Sequence, residues 1–366
     1  MLQRYSQNGK FDSKSGEEHL NQLLVLAIYR EEAFSNHAIT ADRAIMDESC
    51  ERICDRAEEF GFEVLVRRVP GEQYKELTVQ ELKSFHLILS MAQGEDLLAR
   101  LKRVEVESEK CSPSFPIVIN SVDAIENCFR LNLSKKLKAA HLPYPEFLVI
   151  DPREIGAPAS ESLLITHFIE RCGGGVWVKR GDFHALSDQD VVFVKGQEEL
   201  WQSLQHFCKE GVERVILQRH VEGDIFKFYK VIHRHFSYRK IHTSPTASLV
   251  THTHEQQQSM RLLAGRVGEE LALEVYGGDI VIDGNGKLHV IDVNDWPSFR
   301  SSLKDAAIAV ADLCWDKVIK STLLHHTDLL NKRNSTRSLA IANAKEVKGA
   351  AATQYLYGTV STEHQG

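Results

Sequence analysis

The sequence predicts a mixed α/β and α+β fold, in which a small parallel α/β unit precedes two α+β units. Short apolar segments alternate with segments of helical spacing near the N-terminus, whereas longer strands and a hairpin turn signal occupy the second half. A chain of 366 residues is also too long for one ordinary hydrophobic core. We therefore expect units at 21–118, 119–214 and 215–330, between a mobile N-terminal arm at 1–20 and a polar tail at 331–366.

The first unit contains an alternation of strands and helices. Helical spacing covers 41–60, and Gly61 is a suitable residue to end that helix. Short apolar runs predict four buried strands, at 23–28, 62–66, 87–89 and 116–119. This order is typical of a parallel sheet whose strands are joined by helices.

The two later units begin with a helix that Ser121 can cap. We expect this helix to reach about Ala140, because Pro143 and Pro145 follow it. A loop is predicted at 152–160. The remaining strands are predicted at 147–150, 175–179, 191–194, 214–218 and 224–240, and the remaining helices at 255–273 and 303–324.

Composition and charge argue against several classes of protein. The net charge of -7 argues against a general nucleic-acid binder. No apolar run approaches the roughly 18 residues of a membrane-spanning helix, and the N-terminus lacks the apolar core of a signal peptide. The seven cysteines are scattered without a CxxC pair, so neither a disulfide framework nor a zinc site is indicated. We expect a cytoplasmic protein whose partners are neither nucleic acids nor membranes.

One hairpin in the second half combines buried strands with polar side chains. The turn sequence Asp283-Gly-Asn-Gly286 is a strong hairpin signal. If Ile282 faced Lys287 across this turn, Asp292 would lie diagonally across from Asp279 on the same sheet face. Diagonal neighbours are about 7–8 Å apart, a distance that one bound ion can bridge.

Asn294 shares that sheet face with Asp292, because strand side chains alternate with period two. A carboxylate in a strand that is otherwise apolar needs a partner or a metal. Two carboxylates and an amide oxygen suit Mg²⁺ that also binds substrate phosphates. The convergence of Asp279, Asp292 and Asn294 therefore predicts a magnesium site, and the alternative is an exposed sheet face with ordinary polar residues.

A basic ribbon precedes this hairpin and consists of Lys227, Lys230, His233, Arg234, His235, Arg239 and Lys240. Alternation places Lys230, Arg234 and Lys240 on one face of the strand. It places Lys227 and Arg239 on the other. Either the ribbon is a solvated hairpin, or it clamps phosphate and an acidic substrate. In the second interpretation Lys230 and Arg239 are candidate catalytic residues.

Four segments, in this order, resemble the ATP-grasp superfamily. They are SVDAIENCFRLNLSKKLKAAHLPYPEF, VWVKRGD, VILQRHVEGDIFKFYKV, and GGDIVID with LHVIDVNDWPSF. Their counterparts in that superfamily are the opening helix, a phosphate-contacting strand, the hinge strand beside adenine, and two metal-binding strands. The resemblance covers about 119–325. It implies an ATP-grasp N-terminal lobe at 119–214, a C-terminal lobe with the metal site at 215–330, and a pre-ATP-grasp α/β domain at 21–118.

The resemblance also implies a nucleotide site. Lys179 would contact the ATP phosphates, and Arg130 stands where a lysine is usual, with Lys135 and Lys136 as alternatives. A Gly-rich phosphate loop is not obvious. Either 173–175 or 181–185 could cover the phosphates with backbone N–H groups, and the second segment contains the site candidate His184. The implied hinge comprises Gln218, Arg219, His220 and Val221, with Asp224 near the ribose.

The same resemblance implies the chemistry. Asp279, Asp292 and Asn294 would hold Mg²⁺, with Mn²⁺ as an alternative, against the ATP phosphates. The branch is either that of the RimK-like carboxylate-amine ligases or that of the inositol phosphate kinases. We favour a ligase that joins a small-molecule or peptide carboxylate to an amine through an acyl phosphate, releasing ADP and phosphate. Arg300 would receive the substrate carboxylate, with Arg239 as the alternative.

Two other functions stay open. The first is an ATP-dependent kinase of a polyol or an inositol phosphate, and the second is a degenerate nucleotide-binding module that acts as a sensor or scaffold. Arg130 in place of a lysine favours the degenerate module, whereas the three intact metal ligands favour an enzyme. A homodimer is a family-level expectation.

Overall fold

The computed structural model describes residues 22–34, 39–111, 115–154, 159–185, 187–242 and 253–322. The mobile arm expected at 1–20 and the polar tail expected at 331–366 lie outside these residues.

The N-terminal unit is a parallel sheet with helices on both faces. Its four strands are β1 (Gln22–Ile28), β2 (Glu63–Val69), β3 (Leu87–Ser90) and β4 (Ile117–Ile119), in the order β2-β1-β3-β4. Its helices are α1 (Ile39–Glu58), α2 (Val79–Leu82) and α3 (Glu95–Ser108). Apolar residues of α1 pack on one face of the sheet, and those of α2 and α3 pack on the other. The four predicted strands and the first predicted helix are confirmed.

The helix predicted from Ser121 to Ala140 is instead two helices, α4 (Val122–Asn127) and α5 (Arg130–Ala139). The Ser121 side chain does cap the first of them. Phe129 interrupts the helix because its backbone is extended, and its ring lies edge-on against Phe183, with centroids 5.1 Å apart. The break places Arg130 in the first turn of α5.

The middle unit is an antiparallel sheet covered by helices on one face. Its strands are β5 (Phe147–Ile150), β6 (Val176–Arg180), β7 (Val191–Val194) and β8 (Val215–Arg219), in the order β5-β8-β6-β7. Two helices, α6 (Ala159–Cys172) and α7 (Gln197–Lys209), pack on the face that carries Val176, Val178 and Leu217. Neither helix is among the elements that the sequence patterns predict, and α6 begins within the predicted loop at 152–160.

The C-terminal unit is a second antiparallel sheet. Its strands are β9 (Gly223–Val231), β10 (His235–His242), β11 (Val275–Asp283) and β12 (Leu288–Asp295), in the order β10-β9-β11-β12. The single strand predicted at 224–240 is therefore a hairpin that turns at 232–234. One face of the sheet, which we call the helix face, packs on α5 and on α8 (His254–Leu271). The last helix, α9 (303–322), leaves this unit and packs with α1 on the N-terminal sheet.

Each antiparallel sheet thus has one face covered by helices and one face that is not. On the middle sheet the uncovered face carries Trp177, Lys179 and Gln218, which alternate with the buried valines and leucines. On the C-terminal sheet it carries Asp279 and is called the cleft face. The Lys179 ammonium group donates to the Ile291 carbonyl of β12 at 3.1 Å. The two uncovered faces therefore meet across a cleft.

Candidate active site

The β11–β12 hairpin carries the predicted metal ligands, but its register differs from the prediction by one residue. Ile282 pairs one position beyond Lys287, and a β-bulge at Ile291 then adds an extra residue to β12. Asp279 consequently lies directly opposite Asp292. The predicted diagonal arrangement is wrong in detail, and the two carboxylates are closer neighbours than it required.

A row of four charged residues crosses the cleft face of the C-terminal sheet. Arg239 on β10 pairs with Lys227 on β9, Lys227 pairs with Asp279 on β11, and Asp279 pairs with Asp292 on β12. Asn294 lies on the same face, with its Nδ2 atom 3.5 Å from Asp292 Oδ2. The row therefore passes from two cations to two carboxylates and an amide.

Two further cations approach these carboxylates from the middle unit and from α5. Lys179 and Arg130 are both buried, with 7% and 4% of their surface exposed. Burial and the neighbouring Arg130 lower the pKa of Lys179 to about 8, against the attraction of Asp292 and Asp279. A polyanion that approaches an ammonium group in this environment stabilises its charged form.

The two carboxylates differ in pKa although they face each other. Burial raises the pKa of Asp279, and the Lys227 ammonium, 3.4 Å from its Oδ1 atom, only partly offsets that rise. Burial would also raise the pKa of Asp292, but the nearby Arg130, Lys179, His184 and Lys227 outweigh it and the pKa is lowered. Asp292 is therefore the carboxylate at the centre of the positive charge.

The segment 181–185 lies over the same charges. Arg130 Nη1 is 3.5 Å from the Phe183 carbonyl oxygen, and His184 Nε2 is 3.6 Å from Asp295 Oδ1. The other candidate phosphate loop, 173–175, lies beside the hinge, where the Gly175 carbonyl accepts from the backbone of His220 at 3.3 Å. Of the two candidate phosphate loops, only 181–185 therefore adjoins both Arg130 and β12.

Asp295 joins this site to the N-terminal unit. Its Oδ1 atom accepts a hydrogen bond from Gln93 Nε2 at 2.7 Å, and Arg30 Nη1 is 3.8 Å away. Arg30 in turn donates to Asp42 at 3.1 Å. Burial would raise the pKa of Asp295, but Arg30, His184 and Gln93 together lower it. The end of the metal strand is thus fixed by residues that follow β1 and β3.

Strand β8 and the residues after it, the predicted hinge, border an open cleft of about 810 Å³ between the middle and C-terminal sheets. Arg219, His220 and Val221 line it, together with Phe193 and His289. The backbone N–H groups of Arg219 and His220 already donate to the Glu146 and Gly175 carbonyls. Gln218 is 1% exposed and directs its side chain from the uncovered face of β8.

Buried polar atoms without a hydrogen-bond partner are concentrated at this site. Within the described part of the chain they include Arg130 Nε, His184 Nδ1, Gln218 Nε2 and Asp295 Oδ2. His184 Nε2 and Asp279 Oδ1 also lack a hydrogen bond, but each has an ion-pair neighbour, Asp295 and Lys227 respectively. Such atoms cost free energy unless a ligand satisfies them. Their mixture of donors and carboxylate oxygens suits a ligand that carries both anions and a cation.

Two predicted site residues lie on the wrong face. Asp224 and Lys230 belong to the helix face of β9, because they alternate with Lys227. The Asp224 carboxylate accepts from Lys240 at 2.6 Å, and the Lys230 ammonium lies over the Phe236 ring, 5.6 Å from its centroid. The structure therefore does not bring either side chain to the cleft.

Arg300 is exposed in the turn after β12. It lies near Asp42, since burial raises the pKa of that carboxyl group while Arg30 and Arg300 oppose the rise. Arg300 is thus on the N-terminal side of the site, and Arg239 is at the opposite end of the charged row. Trp296, two residues beyond Asn294, is fully buried and donates to the Ile119 carbonyl at 3.1 Å.

Sequence reasoning missed four residues of the site. Lys227 was placed on the same face of the ribbon as Arg239 but was not named as a candidate site residue. Asp295, which directly follows the predicted ligand Asn294, was not named either. Arg30 and Gln93 follow β1 and β3. Ligand sites of parallel sheets lie beyond the carboxyl ends of the strands, and this rule was the available signal for both.

The donor set fits Mg²⁺ only if a ligand supplies further oxygens. No group of three or more His, Cys, Asp and Glu residues within the described ranges could hold a metal ion. Asp279 and Asp292 provide two carboxylates, and Asn294 provides an amide oxygen. Mg²⁺ commonly binds one or two carboxylates and completes its six oxygens with phosphates and water. Asp279 Oδ1 has only the Lys227 ammonium, 3.4 Å away, as a partner, which leaves it able to bind such an ion.

Comparison with known proteins is informative at the level of structure. No family model matches the sequence, and no curated protein is significantly similar to it. D-alanine-D-alanine ligase from Coxiella burnetii matches with a TM-score of 0.57 and 12% identity, over 84% of this chain and 99% of that one. The ligase from Bacillus anthracis complexed with ATP gives 0.58 and 13%, over 84% and 99%. D-alanyl-alanine synthetase A from Vibrio cholerae gives 0.59 and 12%, over 83% and 99%.

At such identities the likeness concerns the fold alone. Within the described ranges, no helix has the length and apolar character that crossing a membrane requires. The matched ligases are ATP-grasp enzymes, and the match extends over nearly their whole length. The chain therefore has the ATP-grasp fold, preceded by an N-terminal α/β domain, as its sequence motifs predict.

Proposed function

We propose that the protein is an ATP-dependent ligase that joins a carboxylate to an amine and releases ADP and phosphate. The observation that carries this proposal is the charged row on the cleft face, which Lys179 and Arg130 face across the cleft. A carboxylate substrate must approach the γ-phosphate of ATP, so two anions have to be held close together. Fixed cations lower the electrostatic barrier to that approach.

The nucleotide would bind along the cleft between the two antiparallel sheets. The Gln218 amide, whose Nε2 atom has no partner, and the Val221 backbone would contact adenine. Lys179 and Arg130 would hold the phosphates, and the segment 181–185 would cover them. His184 would contact the phosphates from that segment, because its Nδ1 atom is buried without a hydrogen-bond partner.

Asp279, Asp292 and Asn294 would hold Mg²⁺, or Mn²⁺ as an alternative. The ion would neutralise phosphate charge when bound. Lys227 is well placed to balance the carboxylates, since burial would lower its pKa but Asp279 and Asp292 raise it above its ordinary value. The Lys227 ammonium thus stays charged beside the ligands.

The reaction would proceed in two steps. In the first, a carboxylate oxygen of the acid bonds to the γ-phosphorus, and the bond to the β-phosphate oxygen breaks to leave ADP and an acyl phosphate. In the second, the amine nitrogen attacks the acyl carbon, loses a proton and expels phosphate. Arg300 would bind the substrate carboxylate, as a guanidinium can do with two parallel hydrogen bonds. Arg239 is the alternative because it ends the charged row.

A kinase that phosphorylates a polyol or an inositol phosphate is the second candidate. The observation that favours it is the pair Lys227 and Arg239 on the cleft face, since a phosphorylated substrate needs such cations. The degenerate nucleotide-binding module is less well supported, because an inert module has no need of Asp279, Asp292 and Asn294 on one face. Small-molecule acid and amine partners, a cytoplasmic location, a homodimer and the proposed domain boundaries are further predictions.

A trapping experiment distinguishes these functions. Purified protein would be incubated with Mg²⁺, ATP and panels of carboxylic acids and polyols, and ADP formation would be followed. For an acid that triggers ADP release, hydroxylamine should intercept the acyl phosphate as a hydroxamate, with one hydroxamate per ADP. Arg300→Ala should raise KM for the acid much more than KM for ATP.

Other outcomes decide against the ligase. A stable phosphorylated alcohol without any hydroxamate would assign the protein to the kinases. Tight ATP binding without ADP release for any substrate would favour the inert module. Mg²⁺-ATP affinity that is unchanged in both Lys179→Ala and Asp292→Ala would show that the nucleotide site is elsewhere.

A further inference from the structure

The helix face of the C-terminal sheet carries a second concentration of positive charge. A cavity of about 290 Å³ lies between the β9–β10 hairpin and α8. Its lining includes four cationic side chains, Lys230, Arg234, Arg261 and Arg266, and one carboxylate, Glu269. Arg234 also forms a salt bridge with Asp316 of α9. This excess is local, because the chain as a whole has a net charge of -7.

Lys230 is the most enclosed of these cations, with 8% of its surface exposed. Its ammonium group lies over the Phe236 ring, and burial and the neighbouring Arg261 lower its pKa despite Glu269. Within the described part of the chain, no carboxylate forms a salt bridge with Lys230, Arg261 or Arg266. A buried ammonium beside a guanidinium is costly unless an anion joins them.

The floor of the cavity is a glycine. Gly265 lies in the interior of α8, where glycine costs about 0.5–1 kcal/mol relative to alanine. A Cβ atom at this position would be 4.0 Å from Lys230 Cε, which is an ordinary contact. Packing therefore does not require a glycine at position 265. The missing side chain leaves the space above Lys230 open.

We propose that this cavity binds a small phosphate monoester at a site separate from the cleft. Guanidinium groups and an ammonium group around a small space suit a phosphate dianion, which can accept several charge-assisted hydrogen bonds. The volume admits a phosphate with a small organic substituent. A nucleic acid would need a basic surface beyond the cavity, whereas exposed Glu269 and Glu270 lie beside it on α8.

Binding of glycerol 3-phosphate, measured by calorimetry on the full chain, tests the proposal. Potassium chloride at matched ionic strength controls for general screening. Gly265→Glu, which places a carboxylate over Lys230, and Arg261→Gln, a change on the exposed surface of α8, should each weaken binding at least tenfold. Gly265→Ala is the matched control and should bind as the wild type does.

Lys179→Met separates this site from the cleft, because it removes a cleft cation and leaves the cavity intact. Glycerol 3-phosphate should bind this variant with unchanged affinity. The proposal fails if the binding heat of glycerol 3-phosphate does not exceed that of potassium chloride at matched ionic strength. It also fails if Lys179→Met abolishes binding while Gly265→Glu and Arg261→Gln retain it. ADP formation plays no part in the measurement, so the result is independent of the ligase proposal.

Discussion

Lys227 and Lys230 are three residues apart on β9, but they lie on opposite faces of the C-terminal sheet and in opposite electrostatic surroundings. On the cleft face, burial would lower the pKa of Lys227, but Asp279 and Asp292 raise it. On the helix face, burial and Arg261 lower the pKa of Lys230. Burial alone would lower the pKa of both lysines, so the sign of the neighbouring charge decides the direction in which each pKa shifts.

The largest expected effect tests the acidic end of the cleft face. Asp292→Asn removes the carboxylate at the centre of the cations and should lower ADP formation at least about 100-fold. Asp312→Asn on α9, where the carboxylate pairs with Arg56 of α1 and not with a residue of the charged row, is the control and should retain activity. ADP release per minute would be measured for both. Wild-type turnover in Asp292→Asn would remove this carboxylate from the proposed site.

The helix face should respond in stability. Gly278 on β11 has no room for a side chain, since a Cβ atom would be 2.3 Å from the Asp292 carbonyl oxygen and 2.8 Å from Phe228. Gly278→Ala should reduce the free energy of unfolding by about 1–3 kcal/mol. Urea denaturation would measure the loss. Gly284→Ala, in the open turn of the same hairpin, should change it by less than about 0.5 kcal/mol.

Two lysine variants compare the faces directly. Lys227→Met leaves Asp279 without its ammonium partner and should lower ADP formation about tenfold while the protein stays folded. Lys240→Met leaves Asp224 without its ammonium partner on the helix face and should cost about 1 kcal/mol of stability with turnover retained. ADP formation and the free energy of unfolding would be measured for both variants. Loss of turnover in Lys240→Met would support the predicted role of Asp224 in the nucleotide site.

The last expected effect is a pH dependence of stability. The unfolded chain keeps the Lys179 proton up to its ordinary pKa of 10.5, whereas the folded protein releases it at a pKa of about 8. Folding therefore releases a proton between these values, and raising the pH should stabilise wild type relative to Lys179→Met, by at most about 1.4 kcal/mol per pH unit. Denaturation at pH 7.5, 8.5 and 9.5 checks the sign. A difference that is constant with pH would show that Lys179 titrates normally.

The fold could be predicted where periodicity and turn chemistry decide it. Short apolar runs gave the four strands of the N-terminal sheet, and the Asp283–Gly286 turn gave the last hairpin. The break at Phe129 could not be predicted, because it depends on a ring contact with Phe183, which is distant in sequence. Helix α6 was hidden by the loop residues that precede it.

The site was predictable as a set of residue types more than as a geometry. Alternation placed Lys227 and Arg239 on one face correctly, but it could not say which face borders the cleft. Asp224 and Lys230 were therefore assigned to a site that their side chains do not reach. Gln93 and Arg30 belong to the site only because the N-terminal unit packs against the end of β12, a contact that local sequence does not reveal.

The bulge at Ile291 has a consequence for the phase of the whole strand. The register set by the turn would place Ile291 opposite Asp279, so that Asp292 and Asn294 would face the apolar helices. The one extra residue reverses this alternation. Near the turn, Val290 lies on the helix face, and beyond the bulge Asp292 and Asn294 lie on the cleft face. The carbonyl of Ile291 accepts the Lys179 ammonium group. Deleting Ile291 would therefore make the ladder regular with Asp292 still opposite Asp279, and it would remove the carbonyl group that accepts the Lys179 ammonium.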